Sequence, residues 1–115
     1  ARVPGAADFD GLSEVPAGLT FREDQYFTDT CELIADGTGL PGSPATALSS
    51  YWEYPGCVEM TGNVYVVRLA DGRHVKLTVT HFYNDAAQEQ CQESGTVPMN
   101  NNGSGSIRIR WAFLP

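Results

Sequence analysis

The chain reads as an all-β domain, mostly antiparallel sheet with long loops and at most one or two short helices. Three observations predict this. First, Asn63 to Tyr83 runs NVYVVRLA, then Asp71-Gly72, then RHVKLTVTHFY. Two runs rich in β-branched and aromatic residues around an Asp-Gly pair are a strong short-range hairpin signal. Second, Ser106 to Leu114 (SIRIRWAFL) alternates cleanly, with Ile107, Ile109, Trp111 and Phe113 pointing one way and Arg108, Arg110 and Ala112 the other. Third, Gly, Pro, Asn, Ser and Thr are plentiful, Lys76 is the only lysine, and helical periodicity is hard to find.

The elements follow in order within one domain over 1–115. Residues 1–49 are loop-rich, punctuated by Pro4, Gly5, Pro16, Gly18, Gly37, Gly39, Pro41, Gly42 and Pro44. Short extended pieces are predicted at Asp8–Phe9 and Leu19–Phe21, and an irregular strand or one helical turn within Tyr26–Ile34. Ser43 as N-cap and Pro44 at the first helical position predict a short helix ending near Ser50. The sheet part spans 50–115. SYWEY is strand-like, Pro55-Gly56 turns the chain, Cys57–Met60 is a second short strand, and Gly62-Asn63 turns again. The long hairpin comes next. Residues 84–105 read as a polar loop, unusually long for a compact domain and so either functional or pinned. The strand over 106–114 closes the chain.

A two-residue turn at Asp71 and Gly72 sets the expected register. Leu69 then faces His74, Val67 faces Lys76, Val66 faces Leu77, Tyr65 faces Thr78 and Val64 faces Val79. One face collects Val64, Val66, Val75, Leu77, Val79, His81 and Tyr83 as core, with Ile107, Ile109, Trp111 and Phe113 as companions. A slip of one residue would exchange the faces. His74 and His81, seven residues apart on one strand, point to opposite faces and do not grip one metal together.

Fourteen acidic against seven basic residues give a net charge of −7. That balance argues against nucleic acids and anionic membranes as partners. No apolar run approaches the roughly 20 residues that span a bilayer. The three cysteines, Cys31, Cys57 and Cys91, form no CxxC pair and no zinc signature, so a disulfide in a secreted or cell-surface protein is the better reading. Cys57–Cys91 is the favoured bridge, tethering the 84–105 loop, with Cys31–Cys57 as runner-up. Cys31 is then a free thiol or an interchain one. No GxSxG, HExxH or phosphate-loop motif occurs, and no enzyme is expected. The acidic cluster Glu23, Asp24, Asp29, Glu32 and Asp36 fits no calcium loop and reads as a solvated face. Glu53 and Glu59 flank the aromatic strand, and a glycosidase pair could be imagined from them, but the sequence gives no separation between their carboxyls. Asn102-Gly103-Ser104 matches the glycosylation acceptor pattern.

The ensemble SYWEY, NVYVVRLADGRHVKLTVTHFY and GSIRIRWAFLP resembles the HmuY-like family of exported or surface-tethered bacterial proteins, whose best-known members are haemophores. The resemblance covers Tyr51 to Pro115, matching the C-terminal portion of such a domain, and more loosely Asp8 to Tyr26. It implies haem as a cofactor, with His81 and Met60 or Met99 as candidate ligands. It also implies an upstream half carried by another polypeptide, so that the domain is incomplete. The leading functional expectation is a secreted or surface β-rich binding module that takes haem. The alternative is a self-associating extracellular subunit, completed by strand donation at an open sheet edge or by a bond through Cys31 to a second polypeptide or like subunit.

Overall fold

A computed structural model describes residues 1–36 and 40–115. The elements are β1 (Trp52–Glu53), β2 (Glu59–Met60), β3 (Val64–Arg68), β4 (His74–His81), α1 (Asp85–Ser94) and β5 (Arg108–Leu114). β1 and β2 form a two-stranded antiparallel sheet. β3, β4 and β5 form a three-stranded sheet in that order, antiparallel throughout. The architecture is therefore mostly antiparallel sheet with one short helix, as the composition predicts. Gly37 and Gly39, placed among the loop glycines above, lie outside the described residues.

The hairpin forms where expected, but its register differs by one residue. Val64 faces Thr78 rather than Val79, and Val66 faces Lys76 rather than Leu77. The cause is the turn. Leu69 N–H donates to Arg73 O at 2.8 Å, and Gly72 N–H donates to Leu69 O at 3.0 Å. The loop thus holds three residues, Ala70, Asp71 and Gly72. A two-residue type I′ turn needs positive φ at both central positions. Only Gly72 has it here, at +88°, while Asp71 does not. Asp71 instead accepts from the Arg73 backbone and guanidinium, which favours the three-residue form.

That slip exchanges the faces of β3. Val64 and Val66 now share a face with His74, Lys76, Thr78, Arg110, Ala112 and Leu114. Tyr65 and Val67 join Val75, Leu77, Val79, Ile109, Trp111 and Phe113 on the other. The expected core therefore splits. The first face is covered by the N-terminal segment, where Ala7, Phe9, Leu12, Val15, Leu19 and Phe21 pack on Val3, Val64, Val66 and Leu114. Lys76 fastens this cover by donating to Phe9 O at 2.6 Å and Leu12 O at 2.9 Å, with its ammonium 4.5 Å from the Phe9 ring centroid. Residues 1–3 also extend the sheet. Val3 N–H donates to Val64 O and Val66 N–H to Ala1 O, both at 2.8 Å, so β3 is not a free edge.

A second small core surrounds the Cys57–Cys91 disulfide, the favoured pairing of the sequence reading. It contains Cys57, Val58, Tyr83, Ala87 and Cys91, with Trp52, Met60, Phe82 and Val97 packed against it. Residues 85–94, expected to be loop, are helical. Asn84 caps them by accepting from Ala87 N–H, and Gly95 ends them in the left-handed region at φ +73°. The helix buries only Ala87, Gln88 and Cys91, so its polar sequence carries almost no amphipathic signal.

Three N-terminal expectations are also corrected. Residues 43–50 hold no helix: Pro44 bridges Ala35 and only 47–50 turn, because Ser43 bonds the Asp36 carboxylate and Ala45 N–H goes to Ile34 O. Asp8–Phe9 opens a turn, with the Asp8 carboxylate accepting from the Asp10 and Gly11 backbone. Leu19–Phe21 forms no strand and serves as cover. Within Tyr26–Ile34 the irregular extended form holds, with Phe27 bridging Leu33. The radius of gyration, 15.4 Å, exceeds the ~13 Å typical of this length, consistent with a sheet covered fully on one side only.

Candidate functional site

Strand β5 is the open margin of the larger sheet. Its alternation is as expected, but the outcome of that alternation is not. Ile107, Ile109, Trp111 and Phe113 remain 47–56% exposed instead of joining the core. Leu114, on the opposite face, is the buried one. The reason lies in the register. Val64 and Val66 turned to the N-terminal cover, leaving the β5 side of the second face without a layer above it. Tyr65 on that face is fully buried, its hydroxyl donating to Ser49 O at 2.8 Å. Burial pushes the Tyr65 hydroxyl up to about 12.

Backbone geometry concentrates binding capacity on the same residues. In an antiparallel ladder, bonded and non-bonded pairs alternate. Leu69 and Arg73 are a bonded pair, so Val67–Val75 and Tyr65–Leu77 are bonded too. His74, Lys76 and Thr78 then bond to Leu114, Ala112 and Arg110 of β5. It follows that Ile109, Trp111 and Phe113 direct their backbone groups away from β4. The rings of Trp111 and Phe113 meet edge to face, with centroids 5.7 Å apart. The Arg73 guanidinium lies 4.6 Å from the Phe113 centroid.

Edge strands are usually guarded by charged side chains that deter pairing. Here both arginines of β5 are drawn aside. Arg110 reaches Asp10 at 2.7 Å and lies 4.4 Å from the Phe9 centroid. The pairing also holds the Asp10 carboxyl below the ordinary carboxylate range, through a hydrogen bond and the guanidinium charge. Arg108 reaches Asp85 at 2.8 Å. Among the described residues the edge is thus apolar, without a neighbouring strand, and its two arginines are paired.

The residues suggested for haem have other engagements. His81 sits at a β-bulge, with Nε2 3.0 Å from Asp85 Oδ1 and Nδ1 2.8 Å from Thr80 Oγ1. Met60 packs on the disulfide core and shares a depression of 470 Å³ with Phe9, Val79 and Thr80, one residue short of His81. Met99 is 97% exposed. No hydrogen bond or ion pair joins any two of the three, and both nitrogens of the only imidazole among them are occupied. As placed, this set does not fit an iron bound on both faces of a macrocycle. His74 stacks obliquely on Phe21, 5.8 Å between centroids, and shares no partner with His81.

Cys31 is exposed, at the tip of the Phe27–Leu33 reversal. Asp24 accepts from Ala47 N–H and Asp36 from Ser43, so two members of the acidic cluster serve the loop fold. Glu53 and Glu59 stand opposite each other in the β1–β2 ladder. Among the described residues the metal-capable trio is Cys57, Glu59 and Cys91, and its two sulfurs are joined in the disulfide. Asn102 uses its side chain within its own loop, donating to Pro98 O and accepting from Ser104 N–H. None of the helices among the described residues is long and apolar enough to cross a membrane.

The class that these features define is a β-rich domain, mostly antiparallel sheet, with an exposed apolar edge strand. Comparisons with protein-family models, curated proteins and solved structures find no match to the chain.

Proposed function

We propose that this protein is an exported binding module that takes an extended polypeptide segment along β5. One observation carries the reading: the residues with outward backbone groups, Ile109, Trp111 and Phe113, are also the half-exposed apolar ones. Strand addition draws affinity from main-chain hydrogen bonds and specificity from alternate side chains, and both are offered on this edge. The buried Cys57–Cys91 bridge supports export, since such bonds persist in oxidising compartments.

A synthetic peptide of alternating valine and glutamate tests it. Valines match the apolar face, and the glutamates fall on the opposite face of the added strand. Binding is expected to protect the Ile109, Trp111 and Phe113 amides from hydrogen exchange, and Trp111→Glu to abolish that protection. Unchanged exchange at these amides removes the reading. Haem uptake, implied by the HmuY resemblance, requires His81 to leave Asp85. A Soret band on adding haemin, lost in His81→Ala, would put that function ahead of strand docking.

A further inference from the structure

Seven side chains carry positive charge against fourteen carboxylates, yet they are unevenly neutralised. Arg73, Arg108 and Arg110 pair with Asp71, Asp85 and Asp10, and Lys76 is held by two carbonyls. Arg2, Arg22 and Arg68 make no ion pair among the described residues. These three line two adjoining cavities on the β3 side of the larger sheet, away from β5. The first, of 500 Å³, holds Arg2 and Arg22. The second, of 610 Å³, shares Arg22 and adds Arg68, whose guanidinium lies 4.4 Å from the Phe21 centroid. Asp36, in the first, accepts from Ser43 Oγ, and Asp24, in the second, from Ala47 N–H.

Local structure builds the first cavity. Arg2 bridges Tyr65 beside β3, Ala45 N–H donates to Ile34 O at 2.7 Å, and Arg22 donates to Thr46 O at 3.2 Å. That last contact takes one donor of the Arg22 guanidinium and leaves the others. Half-buried Leu19, Ile34, Ala45 and Ala47 give the cavity an apolar wall. Its volume falls within the roughly 300–1,000 Å³ of small-molecule sites. A guanidinium is a planar fork of donors that matches carboxylate or phosphate oxygens in pairs. Two such forks in one cleft concentrate positive potential, which draws an anion from outside. We propose that this cavity binds a small amphiphilic anion, its oxyanion head between Arg2 and Arg22 and its apolar body against Leu19, Ile34 and Ala45. The site stands apart from the strand-docking reading, because it uses the other margin of the sheet.

Octanoate and octyl phosphate are the probes, with octanol and acetate as controls, followed by nuclear magnetic resonance and calorimetry on the intact chain. An anionic amphiphile is expected to shift the side-chain signals of Arg2 and Arg22 and the methyl signals of Ala45 and Ala47. The tighter of the two assigns the head as carboxylate or phosphate. Arg2→Gln and Arg22→Gln are each expected to weaken binding roughly tenfold, with circular dichroism unchanged. Arg22→Lys, which keeps the charge but not the fork, should weaken it less.

Octanol or acetate bound as tightly as the probes overturns the proposal, since one lacks the head and the other the body. So does failure of both probes to bind, or an affinity indifferent to both glutamine variants. Shifts confined to Ile109, Trp111 and Phe113 would put the ligand on the β5 margin and overturn it too. The peptide experiment reads separate amides, so either reading can fail alone.

Discussion

Gln88 ties three elements together with one side chain. Its oxygen accepts from the backbone N–H of Phe82 and Tyr83, and its nitrogen donates to Val58 O and to Gln92. It is buried, and every polar atom of it is satisfied. Gln88→Leu keeps the bulk but strips partners from three backbone groups, so a loss of about 2–4 kcal/mol is expected in urea unfolding. Tyr65 gives a different signature. Its hydroxyl titrates near 12 in the fold against an ordinary 10. A raised value means the contribution is fully present below pH 10 and is lost as pH climbs from 10 towards 12. Stability measured across that window should fall in the parent and fall less steeply in Tyr65→Phe.

At the scale of elements, the hairpin shows what was legible and what was not. Aliphatic runs around Asp71-Gly72 announced a reversal, and it is there. They did not announce loop length, because an Asp-Gly pair suits both a two-residue and a three-residue turn. The conformation at Asp71 alone decides between them, and it moved Val64 and Val66 to the other face. Gly72 holds φ +88° with open space around its α-carbon. Gly72→Ala therefore meets no clash, only backbone strain, and should cost about 1–2 kcal/mol in thermal or denaturant unfolding. The helix was illegible for another reason. Its buried face is Ala87, Gln88 and Cys91, which no hydrophobic pattern marks. Asn84 before helix formers, and Gly95 after them, were the signals available. The alternation of β5 was readable, yet which side is covered was not. The cover comes from Phe9, Leu12 and Phe21, about a hundred residues away in sequence.

Across the whole molecule, two small cores share the stability. One is the N-terminal cover on the sheet, and the other surrounds the disulfide. The bridge closes a loop of sequence separation 34 with Cα atoms 6.1 Å apart. Its loss should cost about 3–4 kcal/mol, and the effect should fall mainly on α1, β1 and β2. Hydrogen exchange after reduction is expected to rise there first, ahead of β3 and β4. Placement favoured the pairing, since Cys57 and Cys91 flank the hairpin on either side, but it left Cys31–Cys57 open as a runner-up. The open face was not legible, because it depends on the turn.

The two margins of the larger sheet are not equivalent. Residues 1–3 already occupy the outer side of β3, while among the described residues no strand lies beside β5. A ribbon sealed along one border has a single place to grow. Addition at β5 would extend the sheet at the border that the N-terminal residues do not cover. Removing residues 1–3 would bare the outer backbone groups of Val64 and Val66, giving the sheet a second border.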